Sequence, residues 1–466
     1  MRSVPRLVVL AAVAACSSTP STSDRSSEHT LYVAHDGELV SYDLDTGVER
    51  PGTVPNVNKP VDLQVLEDNT VLVNLTATNE ILVVDGKTMI ERARIPSSSR
   101  GALRPVHSYI TPERGGRRLW MTLNDGAEGR PETNSATFVD IVRGSPTYLK
   151  PVGEVALGVG HHKAAFSTKV DRAVISNIGD CDNVISVYDY SSLGDIRTLA
   201  TLKATDLGFD GSSRAKTCDP TYQTGQPPSP HGCTTSATSG KVYCNVTATG
   251  QIIVVDVDAD PPTFTIKTTG GKGGGYTKAL HGGGQFVYSL QESPREAGEN
   301  AIVGAPCQVG QMVVLDAATD TVVKEVPLFY KGPGCTQSLA GTEEETANPG
   351  HLQVAHDRKT MFVTLGGGFG LEAARARQTI LMDLTDPASP VQLPSVPVGA
   401  SKSHAGDLCT GDGKTYAVVG NVDNNVTVIS AAERKIVRTI VTKASPLSLG
   451  SFGVTAGPGH QSGPIE

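Results

Sequence analysis

The sequence has few aromatic residues and lacks the long amphipathic patterns that indicate α-helices. Aromatic residues make up 5% of the 466 residues, with one tryptophan. After the first residues no apolar run is long enough to span a bilayer as a helix, which argues against a multi-span membrane protein. No basic patch stands out and the formal net charge is −8, so nucleic acid is not an expected partner.

Glycine and proline are abundant, with 50 and 29 residues, and 38% of the residues are hydrophobic. This composition indicates a globular protein with many turns. The chain is also long enough to bury a large core. A repetitive all-β fold satisfies these constraints, and the internal repeats described below support it.

The N-terminus has the features of an export signal. Arg2 and Arg6 precede the apolar stretch Leu7–Val13, and the following Val-Ala-Ala-Cys is similar to a bacterial lipobox in which Cys16 is lipidated. An ordinary signal sequence with an incidental cysteine is the alternative. Ser17 after the cysteine favours the outer membrane, facing the periplasm or the cell surface. We therefore predict a signal peptide at 1–15, a Ser/Thr-rich tether at 16–28 and a single domain at 29–466.

Short strands with a shared ending recur along the chain. Most end in apolar-x-apolar-Asp, at Asp43, Asp85, Asp140, Asp189, Asp256, Asp316, Asp383 and, with serine instead, Ser430. A second strand precedes each of them, beginning at Leu31, Val71, Leu119, Ala173, Val242, Phe286, Met361 and Tyr416. The spacing of roughly 40 to 70 residues fits four-stranded propeller blades.

These second strands resemble the Tyr-Val-x-Asn signature of bacterial YVTN-type propellers, and the resemblance covers nearly the whole domain. It implies a fold and not an activity. The first unit lacks its innermost strand, whereas an extra strand-like segment, Phe452–Ala456, follows the last unit. We predict an all-β propeller of eight four-stranded blades, or seven, which the C-terminal strand closes by joining the first blade.

Seven cysteines follow Cys16, and export makes disulfides plausible. Cys233 and Cys244 face each other across a predicted hairpin. The insertions lie between second and third strands or before first strands, and both kinds of loop emerge on one face of a propeller. Cys181 with Cys218, and Cys307 with Cys335, would join the two kinds of loop. Cys409 remains, as a small buried hydrophobe.

Histidines recur where the chain turns into the innermost strand of a blade. This position lines the mouth of the central channel, and it holds His107, His161, His162, His231, His281, His351 and His404. A single histidine there can simply bond a loop carbonyl. Because six consecutive blades share the feature, we predict a transition-metal site, since imidazole is a common ligand of zinc and copper.

One ion cannot take all seven histidines, because zinc prefers four ligands. Blades three to five are neighbours, so His107, His161 or His162, and His231 form the preferred set. His281, His351 and His404 are reserves. Carboxylates that could orient the rings are Asp180, Asp182 and Asp407, although any of them can be a solvated loop residue.

Two families share these motifs. The order Arg-Pro-Val-His, His-His, and His-Gly followed by a cysteine pair resembles the periplasmic zinc metallochaperone propellers of the AztD type, which deliver zinc to an importer. The chain lacks an obvious His/Asp-rich N-terminal segment and has larger loops than that family. The segment Ser-Pro-His-Gly-Cys is also similar to the copper-ligand turn of nitrous-oxide-reductase-like propellers.

Three functions therefore stay open. The first is a lipid-anchored zinc- or copper-binding propeller, a metallochaperone or sensor, that is not an enzyme. The second is a copper oxidoreductase that uses the same histidines, and the third is an interaction scaffold. The expected associations are the membrane through the lipid alone and a metal-transport protein, with the domain itself monomeric.

Overall fold

The architecture is known from a computed structural model. It describes residues 29–126, 133–210, 228, 230–247, 249–267, 277–292, 307–333, 348–355, 358–366, 376–411, 414–446 and 450–455. The predicted signal peptide, the tether and Cys16 lie outside these residues. Within the described ranges there are β-strands and a short 3-10 helix at Ala204–Leu207, and there is no α-helix.

The strands are numbered in chain order. The first half of the chain contains β1 (Thr30–His35), β2 (Gly37–Asp43), β3 (Val54–Val57), β4 (Pro60–Val65), β5 (Thr70–Leu75), β6 (Glu80–Asp85), β7 (Ile90–Pro96), β8 (Pro105–Ile110), β9 (Leu119–Asn124), β10 (Ser135–Asp140), β11 (Pro151–Ala156), β12 (His161–Phe166), β13 (Arg172–Asn177), β14 (Ile185–Asp189) and β15 (Arg197–Leu202).

The second half contains β16 (Cys233–Thr235), β17 (Val242–Asn245), β18 (Ile252–Asp256), β19 (Thr263–Lys267), β20 (Thr277–Gly283), β21 (Phe286–Glu292), β22 (Gln308–Asp316), β23 (Thr321–Phe329), β24 (Asn348–Val354), β25 (Thr360–Gly366), β26 (Ala376–Asp383), β27 (Val391–Gln392), β28 (Val396–Gly411), β29 (Lys414–Asn421), β30 (Asn425–Ser430), β31 (Lys435–Val441) and β32 (Gly450–Val454).

These strands form eight antiparallel blades. Six are separate four-stranded sheets, and their order from the inside outwards is β32-β1-β2-β3, β4 to β7, β8 to β11, β12 to β15, β16 to β19 and β20 to β23. The last two blades are joined, because the long strand β28 pairs with β26 of blade 7 near its start and with β29 of blade 8 afterwards. The prediction of an eight-bladed propeller is confirmed.

The C-terminal strand closes the ring as predicted. β32 pairs antiparallel with β1, with Leu31 opposite Val454 and His35 opposite Gly450. The backbone N–H of Thr455 also donates to the carbonyl of Thr30 at 3.0 Å. The first blade therefore takes its innermost strand from the opposite end of the chain, which leaves no unpaired edge at the centre of that sheet.

The predicted third strands are also confirmed, and seven of the eight end at the expected aspartate. In the turn that follows, a backbone N–H two or three residues later donates to the carboxylate, as at Asp43, Asp85, Asp140, Asp189, Asp316 and Asp383. The N–H of Ala318 holds the pKa of Asp316 below its usual value. These aspartates are turn residues, as the sequence indicates.

The hydrophobic core is divided among the interfaces between neighbouring blades and does not form a single central layer. The middle strands are buried on both faces, as in the continuous burial of Thr70–Leu75 and Leu119–Asn124, because each blade packs face to face on two neighbours. The buried apolar residues of the described chain group into eight clusters, each shared by two adjacent blades. The outermost strands, such as Ile90–Pro96, are largely exposed.

Phe452 of β32 gives a direct test of the closure. Its ring is 1% exposed and packs with Leu31, Val33 and Val418, so Phe452→Ala should lower the free energy of unfolding by about 3–5 kcal/mol. The matched control is Val441→Ala, at a residue of an outer strand that is 77% exposed. Urea denaturation of both variants measures the difference, and equal stabilities would contradict the closure.

Candidate metal centre

On one face of the propeller, the loops between second and third strands meet the segments at the starts of first strands. Backbone N–H groups in the segments that enter first strands donate to side chains in loops between second and third strands. The pairs are Lys59 with Asp36 (3.0 Å), Arg104 with Asn79 (2.8 Å), Val159 with Asp180 (3.0 Å) and Ala400 with Asp423 (2.9 Å). These bonds hold the starts of four innermost strands, β4, β8, β12 and β28, and the last three carry the candidates His107, His161 and His162, and His404.

All seven predicted histidines lie on or beside an innermost strand. His107 is in β8, His161 and His162 begin β12, His231 lies two residues before β16, His281 is in β20, His351 is in β24 and His404 is in β28. The sequence places them before the strands, which is correct for His231 and wrong for the other six, because these lie within their strands. Some of these strands extend past a register shift in their pairing and so begin earlier. Such shifts lie between Pro105 and His107 and between Pro349 and His351.

Three of these side chains are described. His351 is 7% exposed, and His107 and His231 are half-buried. The ring of His231 is held by a 3.0 Å hydrogen bond between its Nδ1 and Oγ1 of Thr247. Within the described residues no three metal-ligating side chains come together, so these three histidines alone do not form a metal site. The side chains of His161, His162, His281 and His404 lie outside the described part of the structure.

A polar network that the sequence analysis missed joins the innermost strands of blades 2 and 3. Asp62 on β4 is fully buried and accepts hydrogen bonds from both the N–H and the hydroxyl of Ser108 on β8, each at 2.8 Å. Nε2 of Gln64 donates to the carbonyl of Ser108 at 2.6 Å. A charged residue among the apolar residues of the strand sequence Pro-Val-Asp-Leu-Gln-Val was the available signal.

Lys163 on β12 extends this network to blade 4. Its Nζ lies 5.5 Å from the centroid of the Tyr109 ring, and the lysine is half-buried. Burial lowers the pKa of Lys163 to about 7, while the negative charge of Asp62 acts in the opposite direction. Burial and Asp62 both raise the pKa of Tyr109. An amine that is partly neutral near pH 7 therefore lies one residue after the predicted ligand His162.

The carboxylates predicted to orient the histidine rings have other partners where they are described. Oδ2 of Asp180 accepts from Val159, and Oδ1 accepts the backbone N–H groups of Asp182 and Asn183 at 2.9 Å. The side chain of Asp182 is 91% exposed and forms an ion pair with Lys203. The described contacts of Asp180 and Asp182 therefore stabilise the loop in which they lie. The side chain of Asp407 lies outside the described residues.

The disulfide between Cys233 and Cys244 is present as predicted. These cysteines are opposite each other in the β16–β17 hairpin, with a Cα–Cα distance of 4.1 Å. Cys181 and Cys307 are also disulfide-bonded. Their predicted partners, Cys218 and Cys335, lie outside the described residues, as does the side chain of Cys409.

Comparisons with known proteins support the fold. No protein-family model and no curated protein sequence matches the chain. Apo AztD from Citrobacter koseri is similar in structure, with a TM-score of 0.53 and 16% identity over 94% of this chain and 99% of that one. Sqt1 from Saccharomyces cerevisiae has a TM-score of 0.56 at 8% identity, over 84% and 87%. The shared feature is the β-propeller fold.

The resemblance to AztD that the sequence motifs suggest thus extends to the three-dimensional structure. A second structure of Citrobacter koseri AztD gives a TM-score of 0.52 over the same shares of both chains. At 15–16% identity this likeness concerns the fold, and Sqt1 is as similar.

Among the described residues, no helix has the length and apolar character needed to cross a membrane.

The altered pKa of Lys163 predicts a pH-dependent cost to stability. The folded state binds its proton less tightly than the unfolded state, so the cost is full below pH 7 and decreases as the pH rises toward 10.5. Between pH 7 and 9, the free energy of unfolding of the wild type should therefore increase by about 2 kcal/mol relative to that of Lys163→Met.

Chemical denaturation of the metal-free protein at several pH values measures this shift. The control is Lys169→Met, whose side chain is 67% exposed and pairs with Asp258, so it should show no such change. A pH-independent difference for the Lys163 variant would contradict the burial of this amine.

Proposed function

We propose that this protein is a metal-binding β-propeller in which histidines on the innermost strands hold zinc. The observation that carries the proposal is the placement of seven histidines on or beside the innermost strands of six consecutive blades. Imidazole nitrogens suit zinc and copper. The likeness to AztD over nearly the whole of both chains is consistent with a role in zinc handling.

The preferred ligands are His107, His161 or His162, and His231, from blades 3, 4 and 5. Adjacent blades place their innermost strands side by side around one axis, so ligands far apart in sequence can converge there. The 3.0 Å contact between His231 and Thr247 fits this role, because metal-binding histidines are usually held through their second ring nitrogen. His281, His351 and His404 are candidates for a second ion.

The cellular context belongs to the same proposal. Lipidation of Cys16 would anchor the domain at the outer membrane through the tether 16–28, and the membrane would be contacted through the lipid alone. A metallochaperone or sensor there would exchange zinc with a metal-transport protein. Copper bound by the same histidines would instead indicate an oxidoreductase, and a protein without metal would indicate an interaction scaffold. The metal content therefore distinguishes these functions.

The test is elemental analysis of untagged protein purified from its native compartment. We expect zinc in the wild type and its loss from the triple variant His107→Ala, His162→Ala, His231→Ala, because a tetrahedral ion cannot lose three ligands and remain bound. Bound, coloured and paramagnetic copper, or no metal at all, would contradict zinc handling.

A control variant removes a histidine that is not on an innermost strand. His35→Gln changes a histidine on β1, the second strand of blade 1, and should leave zinc bound. Circular dichroism checks that all variants keep the all-β fold. Full metal occupancy in the folded triple variant would overturn the ligand assignment.

A further inference from the structure

The β16–β17 hairpin fixes the positions of both residues in the contact between His231 and Thr247. Cys233 pairs with Cys244 in register and through the disulfide, and the N–H of Asn245 donates to the carbonyl of Gly232 at 3.0 Å. His231 therefore enters the hairpin two residues before one cysteine, and Thr247 leaves it three residues after the other. The same pair of strands determines the positions of both side chains.

Thr247 is held in turn by a buried amide. Nδ2 of Asn245 donates to Oγ1 of Thr247 at 3.3 Å, and the two residues are 0% and 3% exposed. A hydroxyl oxygen can accept two hydrogen bonds. Oγ1 can therefore accept from Asn245 and from a protonated Nδ1 of His231 at the same time. This arrangement accommodates the tautomer of His231 that carries its proton on Nδ1, in which Nε2 is the lone-pair donor.

We propose that Thr247 is a positioning residue that makes His231 a metal ligand through Nε2, with Asn245 and the Cys233–Cys244 disulfide holding Thr247 in place. The inference rests on the proposed function, because it assigns a role within the same site. Its physical basis is that a ring with a fixed tautomer and orientation loses less entropy when it binds an ion.

The chain offers closely matched variants for the test. Thr247→Val removes the hydroxyl and keeps the branched shape, whereas Thr247→Ser keeps the hydroxyl. Thr249→Val is the control in the same turn, because Oγ1 of Thr249 donates to Oε1 of Gln251 at 2.7 Å and not to His231. Zinc affinity is measured by competition with a chromophoric chelator, alongside the urea midpoint of each metal-free variant.

We expect Thr247→Val to weaken zinc binding by about 10- to 100-fold, with Thr247→Ser and Thr249→Val close to wild type. Rescue by serine assigns the effect to the hydroxyl. If Thr247→Ser is as weak as Thr247→Val, or if Thr247→Val binds zinc like wild type, the inference is overturned.

His231→Ala separates the failure of this inference from that of the ligand assignment. If His231→Ala loses zinc affinity while Thr247→Val retains it, His231 remains a ligand and the positioning role alone is wrong. If His231→Ala binds zinc like wild type, His231 is not a ligand and both assignments are overturned.

Discussion

Face-to-face packing between neighbouring blades is the constraint on which this structure depends. Each blade covers its apolar residues only against the blades on both sides, and the eight shared clusters of the described chain form a closed series from blade 1 to blade 8 and back. No blade can bury its own surface alone. The fold is stable as a ring, and the pairing of β32 with β1 completes that ring.

The ring also explains how polar groups come to be buried at its centre. Innermost strands of adjacent blades lie close together, so a side chain on one strand reaches the backbone of the next, as Asp62 reaches Ser108. Burial of a carboxylate is tolerated there because hydrogen bonds satisfy it. Partial burial of the Lys163 amine lowers its pKa, and the negative charge of Asp62 opposes this shift.

The candidate metal centre combines both properties of the fold. The repeat gives each blade an equivalent start of its innermost strand on the same face of the propeller, where loop carboxylates such as Asp180 and Asp423 accept hydrogen bonds from the entering chain. Histidines at such starts belong to innermost strands that the ring arranges around one axis, although they are far apart in sequence. Local contacts then decide how each ring is held, and the hydrogen bond of His231 to Thr247 is the clearest example.

The sequence alone determined the blade pattern, the closing strand and the Cys233–Cys244 disulfide, because these depend on strand periodicity and on register within one hairpin. It also identified which histidines lie at the innermost strands, although it misplaced the strand starts around all of them except His231. Only the tertiary structure decided which residues of different blades meet. The contact of Asp62 with Ser108 depends on packing between strands of different blades, and a local pattern carries no information about a neighbour that another part of the chain supplies.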